Sequence, residues 1–388
     1  MDYLKLGIAI IVLVMLIRMK ITIGLTLIIA AGCIIVAFSI DPNRALDLAV
    51  TTLISTNNII LIGAVILIYT LINCMNHTGK IETLTRFTGE SKFALIFPAM
   101  IIGLVPMPGG AVISAPMVDE LAEKMKLTPE QKVYVNYWFR HMWEFGWPLY
   151  PAIILLAGML DVSYGELFLS MAGVLILMFI LGYLFVLRKI HVPFFQRNIH
   201  LKGIMSVIYP ILAVIAGVLV KFPALPVLGL VIVAYAFYEK IKAKVVVRSF
   251  VAAFSIKTLL LIYGAMLLKE TIAAITFTDA SSSSTGVLFI MLILLPMVLG
   301  FASGLTITGI GASVPVAMVL LGEHMSIWHG VVIYTAAVCG ILMSPAHLCL
   351  FLSIDFFKAN MRKVYTHFII PSVLPVIVFA IILFFVIN

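Results

Sequence analysis

Apolar residues run along this chain in stretches long enough to cross a bilayer, separated by short connections that carry charge or Pro/Gly punctuation. The pattern predicts helices over 5–18 and 21–39, then an amphipathic piece over 43–56 leading into a helix over 58–76. A segment over 93–121 interrupted by helix breakers follows, and then a helix pair over 132–160 and 163–187. After a basic loop at 188–202 the series starts again, with helices over 203–220 and 224–239 and a basic amphipathic piece over 240–256 leading into a helix over 257–276. A second interrupted segment spans 286–321, and helices over 327–356 and 364–387 complete the series. Residues 5–17 resemble a signal peptide in apolar length, but no small-residue cleavage site follows them, so they read as a first membrane helix.

Six elements are thus followed by six of the same kinds in the same order. Pro98 and Gly103 match Pro296 and Gly300, Gly110 matches Gly309, Ser114 and Pro116 match Ser313 and Pro315, and Trp147-Pro148 matches Ser344-Pro345, at offsets of 197 to 199. The chain therefore reads as an internal repeat, 1–190 and 203–388.

Composition fixes the solvent. With 63% hydrophobic and 11% charged residues, too little polar surface exists to cover a water-soluble fold, so the expected class is an all-α polytopic membrane protein. A β-barrel would show short alternating segments instead. The net charge of +8 does not indicate nucleic acid, because the basic residues fall in the connections and act as topology signals. Placing the 18–20 connection in the cytoplasm leaves twenty Lys/Arg inside and only Lys5, Arg44 and Lys221 outside. That count holds only if 93–121 and 286–321 are re-entrant hairpins entering from opposite sides. The expected layout is two inverted repeats of five transmembrane helices plus one hairpin each, ten spans and two hairpins, with both termini outside. The four cysteines lie in apolar stretches without CxxC spacing and read as buried small residues.

Backbone groups freed by a helix break are costly in lipid and persist only where protein or a watery cavity satisfies them. Four breaks at matching places therefore mark a cavity. Pro106, Pro108, Gly109 and Gly110 form one hairpin tip, and Gly304, Thr306, Thr308, Gly309 and Gly311 the other. The remaining breaks lie at Gly146-Trp147-Pro148 and between Gly340 and Pro345. Half-helix N-termini there would face an anion, and hydroxyls such as Ser303, Thr308, Ser313 and Ser344 would offer oxygen to a hard cation. Arg140, His141 and Glu144 lie within a span, where ionisable residues are costly unless paired or facing water. Arg140 and Glu144, spaced i, i+4, could pair on one face; alternatively Arg140 or His141 meets substrate while Glu144 holds a cation or proton. His347 is a candidate donor to ligand or a proton carrier. Trp138 and Trp143 read as packing residues, whereas Trp147 lies in the break itself. Lys269 and Glu270 form a second mid-span charge pair.

The run Gly300-Phe-Ala-Ser303-Gly304-Leu-Thr306-Ile-Thr308-Gly309-Ile-Gly311-Ala-Ser313-Val-Pro315 resembles the ion transporter superfamily of secondary carriers. The run Pro106-Met-Pro108-Gly109-Gly110, with Arg140-His141-Met-Trp143-Glu144-Phe-Gly146-Trp147-Pro148, is similar to an uncharacterised prokaryotic membrane family within it. The resemblance implies a homodimer in the cytoplasmic (inner) membrane that works by an elevator motion. A transport unit of 58–160 and 257–356 would move against a scaffold of the remaining helices, joined by the pieces 43–56 and 240–256. The Ser-Asn-Thr signature at both hairpin tips of the superfamily's dicarboxylate/sodium branch is missing here, which leaves Na⁺ or H⁺ open as coupling ion. The expected function is a secondary transporter of a small carboxylate-type anion, with no cofactor beyond a possible Na⁺. Substrate would meet Pro108, Gly109, Gly110, Ser114, Arg140, His141, Trp147, Ser303, Gly304, Thr306, Thr308 and His347. Coupling would involve Glu144, Gly146, Ser303, Thr308, Ser313 and Ser344. The alternatives are an intramembrane serine hydrolase using Ser303 and His347 and an anion channel, which two oppositely entering hairpins suit less well than alternating access.

Overall fold

The structure, a computed structural model, describes residues 5, 8, 9, 11–13, 15, 16, 19, 21–79, 91–106, 110–195, 201–220, 222–275 and 289–387. Among these, every regular element is helical. Six of the fourteen residues of the predicted helix over 5–18 and the start of the second interrupted segment lie outside them.

The first series comprises α1 (Ile23–Ala37), α2 (Pro42–Ile54), α3 (Thr56–His77), α4 (Lys92–Gly103), α5 (Gly110–Lys124), α6 (Pro129–His141), α7 (Pro151–Leu160) and α8 (Tyr164–Phe185). The second comprises α9 (Leu201–Leu219), α10 (Ala224–Tyr238), α11 (Ala243–Ala253), α12 (Ile256–Ala273), α13 (Leu295–Ser303), α14 (Thr306–Leu321), α15 (Ile327–Leu342), α16 (Leu348–Phe356) and α17 (Met361–Ile387). The interrupted segments are α4–α5 and α13–α14, and the spans predicted over 132–160 and 327–356 are each split in two, α6–α7 and α15–α16.

Several helices start where polar punctuation interrupts the apolar pattern, because those side chains supply N-caps. Asp41 accepts from the N–H groups of Asn43 and Arg44, with Pro42 opening the first turn of α2. Ser91 caps α4, and Thr128 with Gln131 forms a capping box before Pro129 of α6, as Ser163 with Glu166 does for α8. Among the described residues three helices are individually long and apolar enough to cross a membrane: Thr56–His77, Tyr164–Lys189 and Met361–Ile382. A fourth candidate is the pair α11–α12, bent by 50°. Each amphipathic piece is tied to the opposite half: Tyr263 of α12 donates to the Ala49 carbonyl of α2 at 3.1 Å, and Asn73 of α3 donates to the Ser249 carbonyl of α11 at 3.1 Å.

Contacts between helices recur in pairs. Helix α1 packs on α12 as α10 packs on α3, α7 on α14 as α16 on α5, and α4 on α6 as α13 on α15. The last of these is close backbone packing at a glycine. A Cβ on Gly103 would lie 2.2 Å from the Arg140 carbonyl oxygen, and one on Gly300, 197 residues on, would lie 2.3 Å from that of Ala337, also 197 residues after Arg140. Small residues let membrane helices approach this closely. Ala stabilises an exposed helix interior over Gly by about 1 kcal/mol, yet here the backbone must move. Gly103→Ala and Gly300→Ala should each therefore destabilise the fold by about 1–3 kcal/mol, read as a lower thermal midpoint in detergent.

The aromatic core lies around α6. Tyr134 stacks on Trp138 with centroids 5.1 Å apart, Phe368 of α17 packs 4.8 Å from Tyr134, and Trp138 Nε1 donates to the Met178 carbonyl of α8 at 2.9 Å. All three rings are buried, so Trp138 is a packing residue, as its sequence context suggests.

Candidate functional site

A helix ends with carbonyls that have no partner within it, and α4 and α13 each end where an interrupted segment turns. The split spans satisfy these carbonyls. Trp147 Nε1 donates to the Leu104 carbonyl at 3.0 Å, and Tyr150 donates to that of Gly103 at 2.8 Å. In the second half, Ser344 donates to the Phe301 carbonyl and His347 Nδ1 bonds to that of Gly304 at 2.8 Å. Ser344 and His347 stand 197 residues after Trp147 and Tyr150, and Phe301 the same number after Leu104. Each split span thus caps the hairpin beside it with the same two positions, indole and phenol in one half, hydroxyl and imidazole in the other. The turn of the second hairpin needs Gly304, whose φ of +69° is left-handed and whose Cβ would come within 3.0 Å of Ala346 and His347.

The first hairpin is held by a polar cluster that the sequence reading missed. Asn136, fully buried on α6, accepts from Ser114 at 2.6 Å and donates to the Ala111 carbonyl at 2.9 Å and to Ser353 of α16 at 3.0 Å. Lys132, one turn earlier, pairs with Asp119 at 2.8 Å and with Glu123, both on α5. An Asn inside an apolar span is itself a signal, since membrane interiors admit such residues where they bond across helices. Replacing Asn136 by Leu leaves Ser114, Ser353 and a carbonyl without their partner, so a loss of about 1–3 kcal/mol is expected, measured as a drop in thermal midpoint that Val133→Leu does not share.

The charged residues meet where α6, the turn after it, α14 and α16 converge. Helix α6 ends at His141, and Glu144 falls in a 3-10 turn, Met142–Phe145. The two charged residues therefore do not meet as the i, i+4 pair their spacing allows. Arg140 Nη1 instead donates to His141 Nε2 at 3.1 Å and lies 3.4 Å from the Cys349 sulfur. Glu144 accepts from the Thr306 hydroxyl at the tip of the second hairpin. His141 Nδ1 bonds to the Tyr137 carbonyl at 2.7 Å, and its Nε2 lies 2.9 Å from His347 Nε2. Arg140, His141, Glu144 and Thr306 are all buried. The ligand-capable atoms of His141, His347 and Cys349 lie within 4.8 Å of one another.

Of the residues expected at the site, Arg140, His141, Glu144, Trp147, Gly304, Thr306, Ser344 and His347 come together around the two breaks. Pro108 and Gly109 lie outside the described residues, and Gly110 opens α5. Ser114 is engaged by Asn136. Gly146 packs outward, where a Cβ would lie 2.7 Å from Met171 of α8. Thr308 and Ser313 are fully buried on α14, and their hydroxyls have no hydrogen-bond partner among the described residues. Ser303 donates to the Leu299 carbonyl at 2.7 Å and accepts from the Leu305 N–H at 3.2 Å, whereas His347 bonds to Gly304 and His141. The Ser303–His347 dyad of the hydrolase reading is not formed. Lys269 and Glu270 approach at 3.9 Å, away from these residues and partly exposed.

The proteins of unknown function grouped as DUF401 match residues 2–387, nearly the whole chain. The chain belongs to this family. No curated protein matches it. Among solved structures, the YdaH transporter of Alcanivorax borkumensis superposes with a TM-score of 0.61 at 13% identity, covering 89% of this chain and 88% of that one. At that identity the likeness is one of fold. Together with the apolar helices it makes this family member a multi-pass helical membrane protein.

Proposed function

We propose that this protein is a secondary transporter of a small carboxylate-type anion. The observation that carries the reading is the convergence of Arg140, His141, Glu144, Thr306 and His347 at two split spans, inside apolar protein, with hairpin carbonyls capped by both. An arginine buried at membrane depth is costly unless it meets charge or water, and a buried guanidinium with a planar fork suits a carboxylate. The likeness to a transporter fold supports the same reading.

In this proposal the chain has ten spans and two re-entrant hairpins, arranged as inverted repeats 1–190 and 203–388 of the ion transporter superfamily. The recurring contacts and the equivalent capping pairs support the repeat. Substrate sits between the hairpin tips, near Arg140, Gly110 and Trp147. The coupling cation, Na⁺ or H⁺, is offset by Glu144, with Thr306, Thr308 and Ser313 as nearby oxygens. The moving unit is 58–160 with 257–356, and the remaining helices form the scaffold of a homodimer in the inner membrane. The link from Tyr263 to α2 and from Asn73 to α11 suits arms that join the two units. A channel would need one continuous path, whereas the Glu144–Thr306 bond links the two halves at the site, which suits alternating access better.

The test is a thermal-shift screen of the purified protein against carboxylates, sulfonates and inorganic oxyanions, with and without Na⁺. Stabilisation by a carboxylate of at least about 1 kcal/mol, reached when ligand exceeds its Kd about fivefold, is expected. A screen in which no anion raises the midpoint would remove the proposal.

A further inference from the structure

We infer that the His141–His347 pair is a proton-binding site, in which His347 holds both ring protons and donates one to the bare Nε2 of His141. The assignment follows from what each partner can do. A backbone carbonyl only accepts, so the Nδ1 atoms, 2.7 Å from the Tyr137 carbonyl and 2.8 Å from that of Gly304, both bear hydrogen. A guanidinium only donates, so Arg140 Nη1 at 3.1 Å leaves His141 Nε2 without one. Two bare ring nitrogens would repel at 2.9 Å. The remaining hydrogen therefore sits on His347 Nε2, making this ring an imidazolium and the other neutral. All four ring nitrogens are then satisfied by one extra proton.

The proton's position gives it consequences. His141 ends α6, His347 precedes α16, and Gly304 is the turn of the second hairpin, so the hydrogen on His347 Nε2 joins the two broken segments while the one on Nδ1 holds the hairpin turn. The titratable and charged groups facing the pair are Tyr137, Arg140 and Glu144 from α6 and the turn after it, and Cys349 from α16. From α13 and α14 come the Gly304 carbonyl and the Thr306 hydroxyl. With the proton bound, Arg140 and His347 set two positive charges against Glu144. An anion is then attracted to the site, and by reciprocity the bound anion strengthens proton binding. Loss of the proton leaves facing lone pairs and removes this one link between α16 and α6, where Asn136 still bonds Ser353. The inference rests on reading the site as an anion carrier's, and it names the coupling ion as H⁺.

Nitrogen NMR of the full chain, ¹⁵N-labelled at histidine in lipid bilayers near neutral pH, tests it. The expected spectrum contains one doubly protonated ring whose Nε2 is coupled to a bare Nε2 of a second ring, and the coupling disappears in His347→Gln and in His141→Gln. A wild-type spectrum without that coupling overturns the inference, whatever the variants do. So does a pair of Nε2 signals that shifts when EDTA is added, since a metal ion would then hold the rings. The readout involves no transport, so a missing pair leaves the transporter proposal standing. A coupled pair in a protein that no anion stabilises overturns only that proposal.

Discussion

Replacing Arg140 by alanine should abolish anion binding while the protein still folds. Truncating one member of a buried, charge-assisted contact typically costs about 2–5 kcal/mol, roughly 30- to 4,000-fold in affinity. Arg140 is 3% exposed and directs Nη1 to His141 and Cys349, so no solvent charge can replace it. The side chain lies at the end of α6, not in the aromatic cluster of Tyr134, Trp138 and Phe368, which should keep the helix packed. Titration of the wild type and Arg140→Ala with whichever carboxylate stabilises the protein checks this, with a monodisperse gel-filtration peak as control. Arg140→Lys should recover part of the affinity, because it restores charge but not the bidentate fork. Equal affinity in the wild type and Arg140→Ala would remove this residue from the site.

Glu144→Gln should separate binding from coupling. The carboxylate accepts from Thr306, and a Gln side-chain oxygen accepts in the same way, so the bridge between the first split span and the second hairpin tip persists. What is lost is one buried negative charge at the tip of the second hairpin. Anion affinity should be retained or increase, whereas accumulation against a gradient, which needs a countercharge for the driving cation, should be lost. Proteoliposome uptake with an imposed pH or Na⁺ gradient, compared with exchange at equilibrium, measures both. Preserved accumulation in Glu144→Gln would assign the countercharge elsewhere.

The architecture was largely legible because membrane helices announce themselves by apolar length and breaks by Pro and Gly. The breaks expected within 132–160 and 327–356 appear between α6 and α7 and between α15 and α16. The charged residues of the site were legible for a related reason: Arg140 and Glu144 stand out in an apolar span. Their partners were not. Periodicity within one helix suggests Arg140 with Glu144, but the 3-10 turn after His141 changes the register, and besides the neighbouring His141 the partners come from residues about 160 to 210 positions away. Cys349 looked like filler because its neighbours are apolar. Asn136 was overlooked among the aromatic residues flanking it, although it holds α5, α6 and α16 together. Tyr150 and His347 share a role only visible once the hairpin carbonyls they cap are located.

The central claim, that this fold carries an anion through a site built on Arg140, is tested most directly by counterflow in proteoliposomes. Vesicles loaded with the stabilising carboxylate and diluted into a trace of its radiolabelled form should show a transient, saturable accumulation with the wild type and none with Arg140→Ala. Wild-type vesicles no different from protein-free ones, or Arg140→Ala vesicles equal to wild type, would contradict it.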